Sequence, residues 1–92
     1  MKSYASIDSI EGKYAVCEVE LLPVEESKPE DFAIKDCEMM DVSLQDILVF
    51  VGEAKEGDIL VVEHDGENVT LIYSKDDEEK ARRHEILRGI MS

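Results

Sequence analysis

The chain has 92 residues, and its 23 acidic side chains outnumber its 10 Lys and Arg side chains, which gives a formal net charge of −13. A chain of this length predicts one domain over residues 1–92 and excludes a second. The negative charge repels phosphate backbones and anionic lipid surfaces, so the composition argues against direct binding to nucleic acid or to membranes. With 43% hydrophobic residues, the chain predicts an aliphatic core rather than disorder.

The predicted location of the protein is the cytoplasm. No apolar run approaches the ~20 residues of a membrane-spanning helix, and the amino terminus lacks the basic and then apolar pattern of a secretory signal. In a reducing cytosol, Cys17 and Cys37 are expected to be thiols at core or boundary positions rather than a disulfide or a metal-binding pair, and neither belongs to a CxxC motif.

The first part of the chain has the alternating pattern of a β-hairpin. Two alternating segments within residues 4–22 flank a turn signal, Glu11-Gly12-Lys13. One face of the second segment is predicted to point inward, and it consists of Ala15, Cys17, Val19 and Leu21. The opposite face is predicted to point outward, and it consists of Val16, Glu18, Glu20 and Leu22.

Residues 23–36 contain both prolines and are rich in acids, so they predict an exposed, mobile loop that Phe32 and Ile34 pin at its far end. Extended structure is predicted to resume at residues 37–44. A short turn or 3₁₀ element from Ser43 then leads into the apolar run ILVFV at 47–51. The β-branched and aromatic residues of this run predict burial, whereas exposed members of it would form a docking patch.

The second half predicts another hairpin. A turn at residues 55–58, in which Gly57 supplies a backbone conformation that other residues resist, launches a strand at 59–63. Asp65-Gly66 then stands between two apolar segments, and this dipeptide is typical of a type I′ turn in which both central residues have positive φ. The returning strand is predicted at 68–73.

A terminal helix is predicted over residues 75–91. Ser74 is placed as its N-cap, with Asp77 at the reciprocal capping position. The acids at 76–79 lie over the positive end of the helix dipole. Three ion pairs have the favoured i, i+4 order: Asp76 with Lys80, Glu78 with Arg82, and Glu79 with Arg83.

The apolar residues of this helix cluster toward its end and mark one face, which consists of Ala81, Ile86, Leu87, Ile90 and Met91. We expect this face to close the open end of the sheet or to pack on a second copy in a homodimer. Together the elements predict a mainly β, α+β fold. It comprises a small curved antiparallel sheet or open SH3/OB-like barrel of about five strands over 1–74, followed by the helix at 75–91.

A metal site is considered at His64, Asp65 and Glu67, whose residue types bind metal ions. The hairpin already explains Asp65-Gly66, however, and a closed zinc site needs four ligands, with Cys or His predominating. The other histidine, His84, lies on the charged helix. We therefore assign no metal-binding residue, and weak association of calcium or magnesium with the many carboxylates stays open.

No catalytic or cofactor-binding residue is assigned either. Cys17 is predicted to face the core, and the acids beside Cys37 disfavour its thiolate. With 23 acids, close carboxylate pairs are inevitable and do not indicate a general acid and base. Gly52, Gly57 and Gly66 are single turn glycines rather than a phosphate-binding loop. We therefore expect a protein that is not an enzyme.

The one basic cluster of the sequence lies on the predicted helix and comprises Lys80, Arg82, Arg83 and Arg88. Such a cluster would suit a phosphate group or an acidic partner. The acids one turn earlier neutralise these charges, so pairing within the helix is the favoured interpretation.

Four segments together resemble the small bacterial and archaeal proteins catalogued as domain of unknown function 3006. They are Ile7-Asp8 followed by EGKYAVCE, then MDVSL, AKEGDILVVEHDGE and DDEEKARR, and they cover most of the chain except residues 23–36. The chain departs from the IDRxEG pattern of that family because Ser9 occupies the position of the arginine. Its connection between the second and third strands is also longer.

This resemblance implies a small β structure with a C-terminal helix and no established activity. It also implies an accessory role, because some members lie beside, or are fused to, metallo-β-lactamase-fold proteins related to DNA uptake. The longer acidic insert at 23–36 is a difference from those relatives. A binding surface that they share is therefore not carried over to this chain.

The expected function is that of an acidic protein-interaction module, with the loop at 23–36 or the helix face as the contact. Its partner is another protein, or a second copy bound through the C-terminal helix. Two alternatives stay open. One is an accessory domain of a metallo-β-lactamase-fold or DNA-uptake-related hydrolase, in which the acidic charge mimics a phosphate backbone, and the other is a binder of divalent metal or of a small ligand.

Overall fold

The computed structural model describes residues 1–28 and 36–91, with side chains up to Gly89. Five strands form one antiparallel sheet in the order β3-β2-β1-β4-β5. The strands are β1 Lys2–Glu11, β2 Tyr14–Glu20, β3 Cys37–Ser43, β4 Ile59–His64 and β5 Val69–Lys75, and the helices are α1 Leu44–Val51 and α2 Asp77–Met91. The predicted α+β fold is confirmed, and its sheet is open, since no ladder of the described residues joins β3 to β5.

The two helices of the described ranges are too short or too polar to cross a bilayer. Their positions differ, because α1 contacts β2, β3 and β5 whereas α2 contacts β4. They therefore lie on different parts of the sheet.

The β1–β2 hairpin forms where the sequence predicts it. Gly12 turns the chain with a φ of 62°, a left-handed conformation that glycine adopts without a Cβ clash. Pairing of Ile7 with Cys17 across the two strands then places both side chains on the same face. The inward positions predicted for β2 are confirmed, since Ala15, Cys17 and Val19 are fully buried and Leu21 packs against them.

One face of the sheet carries the hydrophobic core. Helix α1 lies across this face and contributes Ile47, which is fully buried. Strand residues make up the rest of the core: Ala5, Ile7, Ala15, Cys17, Val19, Met40, Val42, Leu60, Val62 and Ile72. Because each fully buried Val, Leu, Ile or Met contributes roughly 1.5–3 kcal/mol, this face is the main source of stability.

The apolar run at 47–51 is helical and only partly buried, which corrects the prediction of a short turn followed by a buried run. Ser43 caps α1 by accepting a hydrogen bond from the Asp46 amide at 3.4 Å, and Gly52 ends the helix with a φ of 91°. Residues 47 and 51 are one turn apart, so they share the side that meets the sheet, while the residues between them point away.

Strand β4 begins after the predicted turn, and Gly57 has the expected positive φ, 89°. The predicted type I′ turn is wrong, because Gly66 has positive φ but Asp65 does not. The Asp65 amide donates to the Asn68 carbonyl at 3.1 Å, and the Asp65 carboxylate accepts from the amides of Glu67 and Asn68 at 2.9 and 2.7 Å. A hydrogen-bonding side chain therefore closes this loop in place of a second left-handed residue.

Helix α2 begins at Asp77 rather than at residue 75, because β5 continues through Lys75. Its N-cap is Asp76, whose Oδ1 accepts a hydrogen bond from the Glu79 amide at 2.9 Å. The prediction of Ser74 as the cap is therefore wrong. An aspartate serves this position as well as a serine does, and the pairing of β5 with β4 decides between them.

The acidic loop lies partly outside the described residues. Its first part forms a 3₁₀ turn at Val24–Glu26. Where the chain returns to the sheet, the Leu21 amide donates to the Asp36 carbonyl at 2.9 Å. The predicted anchors Phe32 and Ile34 lie outside the described residues.

Helix α2 lies on the face of the sheet opposite to the core. There it meets Tyr4 of β1 and Glu20 of β2. Glu20 was predicted to point to solvent, as Glu18 does, but it is only 4% exposed. The prediction fails at Glu20 because α2 places Arg83 against this carboxylate.

Candidate interaction surfaces

Three consecutive residues of α1 present large apolar side chains to solvent. Leu48, Val49 and Phe50, which we call the α1 patch, are 46%, 71% and 57% exposed. Their neighbours Ile47 and Val51 pack toward the core. The predicted burial of the whole run is therefore wrong, and its middle has the exposure that a docking surface requires.

A groove lies beside the α1 patch, between α1 and strands β3 and β5. Its volume is about 150 Å³, which is below the size of a typical small-molecule site. Two carboxylates, Asp41 and Asp46, and three apolar side chains, Val42, Phe50 and Ile72, contribute to its lining. Phe50 belongs to both the patch and the groove, so the two form one continuous surface.

Asp41 and Asp46 give this groove its charge. Both side chains are exposed, and neither forms an ion pair with any residue that the structure describes. The backbone amide of Asp46 donates to the capping Ser43 hydroxyl, so this hydrogen bond does not engage the Asp46 carboxylate. The groove is therefore both apolar and negatively charged.

The charges of α2 are instead paired inside the molecule. Arg83 Nη2 lies 2.7 Å from Glu20 Oε2, and Arg83 Nε lies 2.7 Å from Glu79 Oε2. The Arg83 guanidinium also lies over the Tyr4 ring, 5.0 Å from its centroid. Burial by itself would lower the pKa of Arg83, but the hydrogen bond to Glu79 and the charge of Glu20 raise it above its ordinary value, so the guanidinium stays charged.

Internal pairing accounts for the rest of the basic cluster on α2. Lys80 Nζ lies 2.9 Å from the fully buried Asp58, so Lys80 reaches the turn before β4 instead of the predicted Asp76. The remaining pairs are Arg82 with Glu78 and Glu79, and Arg88 with Glu85. Pairing within the helix is therefore confirmed for Arg82, Arg83 and Arg88. It is wrong for Lys80, whose acid lies outside α2.

A larger cleft, of about 340 Å³, lies between α2 and the sheet. Its lining includes Lys80, Arg83, His84, Cys37 and Leu87. The two cations among these residues already pair with buried acids. Their charges therefore hold α2 to the sheet and are not available to a ligand.

His64 and Asp65 are committed to the fold, not arranged as metal ligands. His64 is buried, with Nε2 2.9 Å from Ser3 Oγ. The Ser3 hydroxyl donates to the Leu22 carbonyl at 2.7 Å, so the ring nitrogen is the donor to Ser3. The other ring nitrogen, Nδ1, accepts from the Gly66 amide at 3.1 Å. In the described ranges no three His, Cys, Asp or Glu side chains form a group that could hold a metal ion.

Cys17 and Cys37 lie on opposite faces of the sheet, so no disulfide joins them. Cys17 faces the core as predicted. Burial raises the pKa of its thiol to about 11, and the charge of Asp41 adds to the effect. Because the thiolate is the nucleophilic form, Cys17 is unreactive at neutral pH.

The sequence carries signals for the helical form of the run at 47–51. Ser43 is a good N-cap residue and Gly52 a good helix terminator, and they frame the segment from both ends. Once the segment is a short helix, some of its apolar residues must face solvent. No comparable local signal announces the pairing of Glu20 with Arg83, because the two residues lie far apart in the sequence.

No family model, no curated protein and no solved structure matches this chain. The resemblance to domain of unknown function 3006 stays a prediction. The geometry of the α1 patch and of the adjoining groove is therefore the basis for assigning a function.

Proposed function

We propose that this protein is an acidic protein-interaction module that binds its partner through the α1 patch. The observation that carries the proposal is the outward placement of Leu48, Val49 and Phe50 on a helix whose other side is anchored in the core. Contiguous apolar side chains in water are unfavourable until another surface covers them, and such patches mark interaction sites. A helix fixed to the core also presents them with little ordering cost on binding.

The charge of the molecule determines which partner suits the patch. The net charge is −13, and the exposed carboxylates of Asp41 and Asp46 stand beside the patch. A basic surface is attracted to such a molecule, whereas a second copy of the same chain is repelled. We therefore propose a different protein as the partner, one with apolar residues inside a positively charged rim.

The arrangement of the surface agrees with the anatomy of protein interfaces, in which an apolar centre is surrounded by a polar rim. Phe50 is the anchor expected to contribute most, because buried aromatic side chains near the centre of an interface dominate binding. The acids around it are expected to raise the association rate and to make binding sensitive to salt.

Capture from a lysate of the source cell tests the proposal with three baits. They are the wild type, the variant Leu48→Gln/Val49→Gln/Phe50→Gln, and the control Tyr14→Gln/Met39→Gln. Glutamine is a good helix former, and the control side chains are exposed to a similar degree, 54% and 52%. We expect at least one protein that the wild type and the control retain at low salt and that the α1 variant does not retain.

Equal recovery of the same proteins on all three baits would contradict the proposal. Light scattering separates it from self-association, because a dimer through the α1 patch would have twice the mass of 10.4 kDa and would dissociate in the α1 variant. A dimer through α2 would dissociate instead in Leu87→Glu, since Leu87 is 42% exposed on that helix.

A further inference from the structure

We infer that the groove beside the α1 patch receives a basic side chain, arginine or lysine, from the partner protein. This inference rests on the proposed function and adds a specific contact to it. A long basic side chain needs an apolar channel for its methylene stem and an anionic site for its head. The groove offers both.

The apolar part of the groove is continuous with the hydrophobic core. Val42 and Ile72 line it and are each only 5% exposed, so they form a firm floor. Phe50 stands at its rim with its ring largely open to solvent. A methylene stem can pack against this floor, and the aromatic ring also attracts a cation that approaches its face.

The anionic part of the groove consists of Asp41 and Asp46. Neither carboxylate has a basic partner among the residues that the structure describes. The field of Asp41 also reaches into the core, where it adds to the effect of burial on the pKa of Cys17. A cation bound in the groove would neutralise this field, so charge complementarity selects a basic occupant.

The larger cleft under α2 does not offer the same chemistry. An anion entering it would have to take Arg83 from Glu20 or Lys80 from Asp58, and both of these acids are buried. Leaving a buried carboxylate without its cation is costly. The groove requires no such exchange, because its carboxylates are exposed and have no basic partner in the part of the chain that the structure describes.

Peptides selected from a phage-displayed random library on the wild-type protein are the probe. We expect the selected peptides to share an arginine or lysine next to an apolar residue. Their affinity should fall at least about tenfold in Asp41→Asn/Asp46→Asn, which removes the charged acceptors. It should fall less than about twofold in Glu56→Gln/Glu67→Gln, which has the same net charge and changes exposed acids elsewhere.

Two further measurements complete the test. Replacing the basic residue of the peptide by norleucine should abolish the difference between the two variants, because no charge then remains for the groove to recognise. An unchanged urea midpoint of Asp41→Asn/Asp46→Asn shows that weaker binding does not result from unfolding.

The outcomes separate this inference from the proposed function. Peptides could bind Asp41→Asn/Asp46→Asn and Glu56→Gln/Glu67→Gln equally but fail to bind Leu48→Gln/Val49→Gln/Phe50→Gln. This result would overturn the groove contact and leave the proposed function standing. Peptides that bind all variants equally, or a selection that yields no binder, would overturn both.

Discussion

Helix α1 is made largely of apolar residues and leaves Leu48, Val49 and Phe50 in solvent, whereas α2 is made mostly of charged residues and buries Glu79 to 2% exposure. The difference follows from what each helix faces. Only one side of the short α1 meets the sheet, and Ile47 fills the available space there. The first turns of α2 face the buried acids Glu20 and Asp58. The basic side chains Arg83 and Lys80 therefore pair with these acids.

The surface that a helix faces therefore decides burial as much as the hydrophobicity of the segment does. A buried ion pair contributes little net stability over a well-packed apolar contact, but it is costly to break and specifies one arrangement. Helix α2 is therefore held in a defined position. The outward side of α1, with Leu48, Val49 and Phe50, is exposed instead.

The largest effect is expected for Arg83→Met. This change removes the cation from the buried carboxylate of Glu20, while Glu79 keeps Arg82, so the free energy of unfolding should fall by about 3 to 5 kcal/mol. Urea unfolding measures the loss. The matched change Arg88→Met removes an exposed pair with Glu85 and should cost about 0 to 1 kcal/mol. Equal effects of the two variants would show that the network around Arg83 is screened by solvent.

The next effect is expected for Ile47→Ala, on the inner side of α1. Ile47 is fully buried in the core, and removing such a side chain leaves a cavity, so the free energy of unfolding should fall by about 2 to 5 kcal/mol. Val49→Ala, two positions further on and exposed, should change it by no more than about 0.5 kcal/mol. Similar losses in both variants would mean that the helix buries both of its sides.

A third, smaller effect concerns the pH dependence at Cys17. Burial raises the pKa of this thiol from 9.0 to about 11, so the folded state keeps a proton that the unfolded chain releases in this range. The contribution to stability, roughly 2 to 3 kcal/mol, is fully present below the unfolded pKa and is lost as the pH rises through the folded pKa.

Thiol labelling checks the burial of Cys17 from which this pH dependence follows. In a Cys37→Ser background, a thiol-specific reagent at pH 9.0 should leave folded Cys17 unmodified and should react quickly once urea is added. Fast labelling without urea would contradict the burial of Cys17 on the core face of β2.

The smallest effect is expected on the stability of Leu48→Gln/Val49→Gln/Phe50→Gln. Since the three side chains are exposed, each change should alter the free energy of unfolding by no more than about 0.5 kcal/mol, although three large apolar residues are removed. Urea unfolding of the variant used in the capture experiment provides the value. A loss of several kcal/mol would place the α1 patch in the core and would remove the basis of the proposed function.

Much of the sheet was predictable because its signals are local. The glycine turns at Gly12 and Gly57 and the inward positions of β2 depend on neighbouring residues, and the structure has them where the sequence predicts. The loop after His64 shows the limit of such signals. Asp65-Gly66 does mark a turn, but its geometry depends on hydrogen bonds from the Asp65 carboxylate rather than on the dipeptide alone.

The candidate site was less predictable, for two physical reasons. A short apolar run suits a buried strand and a helix equally, and periodicity does not distinguish them. The capping residues Ser43 and Gly52 were the available signals for the helix. The burial of Glu20 depends on Arg83, which only the folded sheet and α2 bring together, so no reading of the segment around Glu20 could reveal it.

Solvent paramagnetic relaxation, measured by NMR on the wild-type protein with a soluble probe, tests the contrast between the two helices most directly. We expect strong relaxation of the Leu48 and Val49 methyl groups and weak relaxation of the Ile47 methyl groups and of Arg83 Nε–H, which lies against Glu79. Weak relaxation at Leu48 and Val49 together with strong relaxation at Arg83 would contradict an exposed outer side of α1 and a buried ion pair under α2.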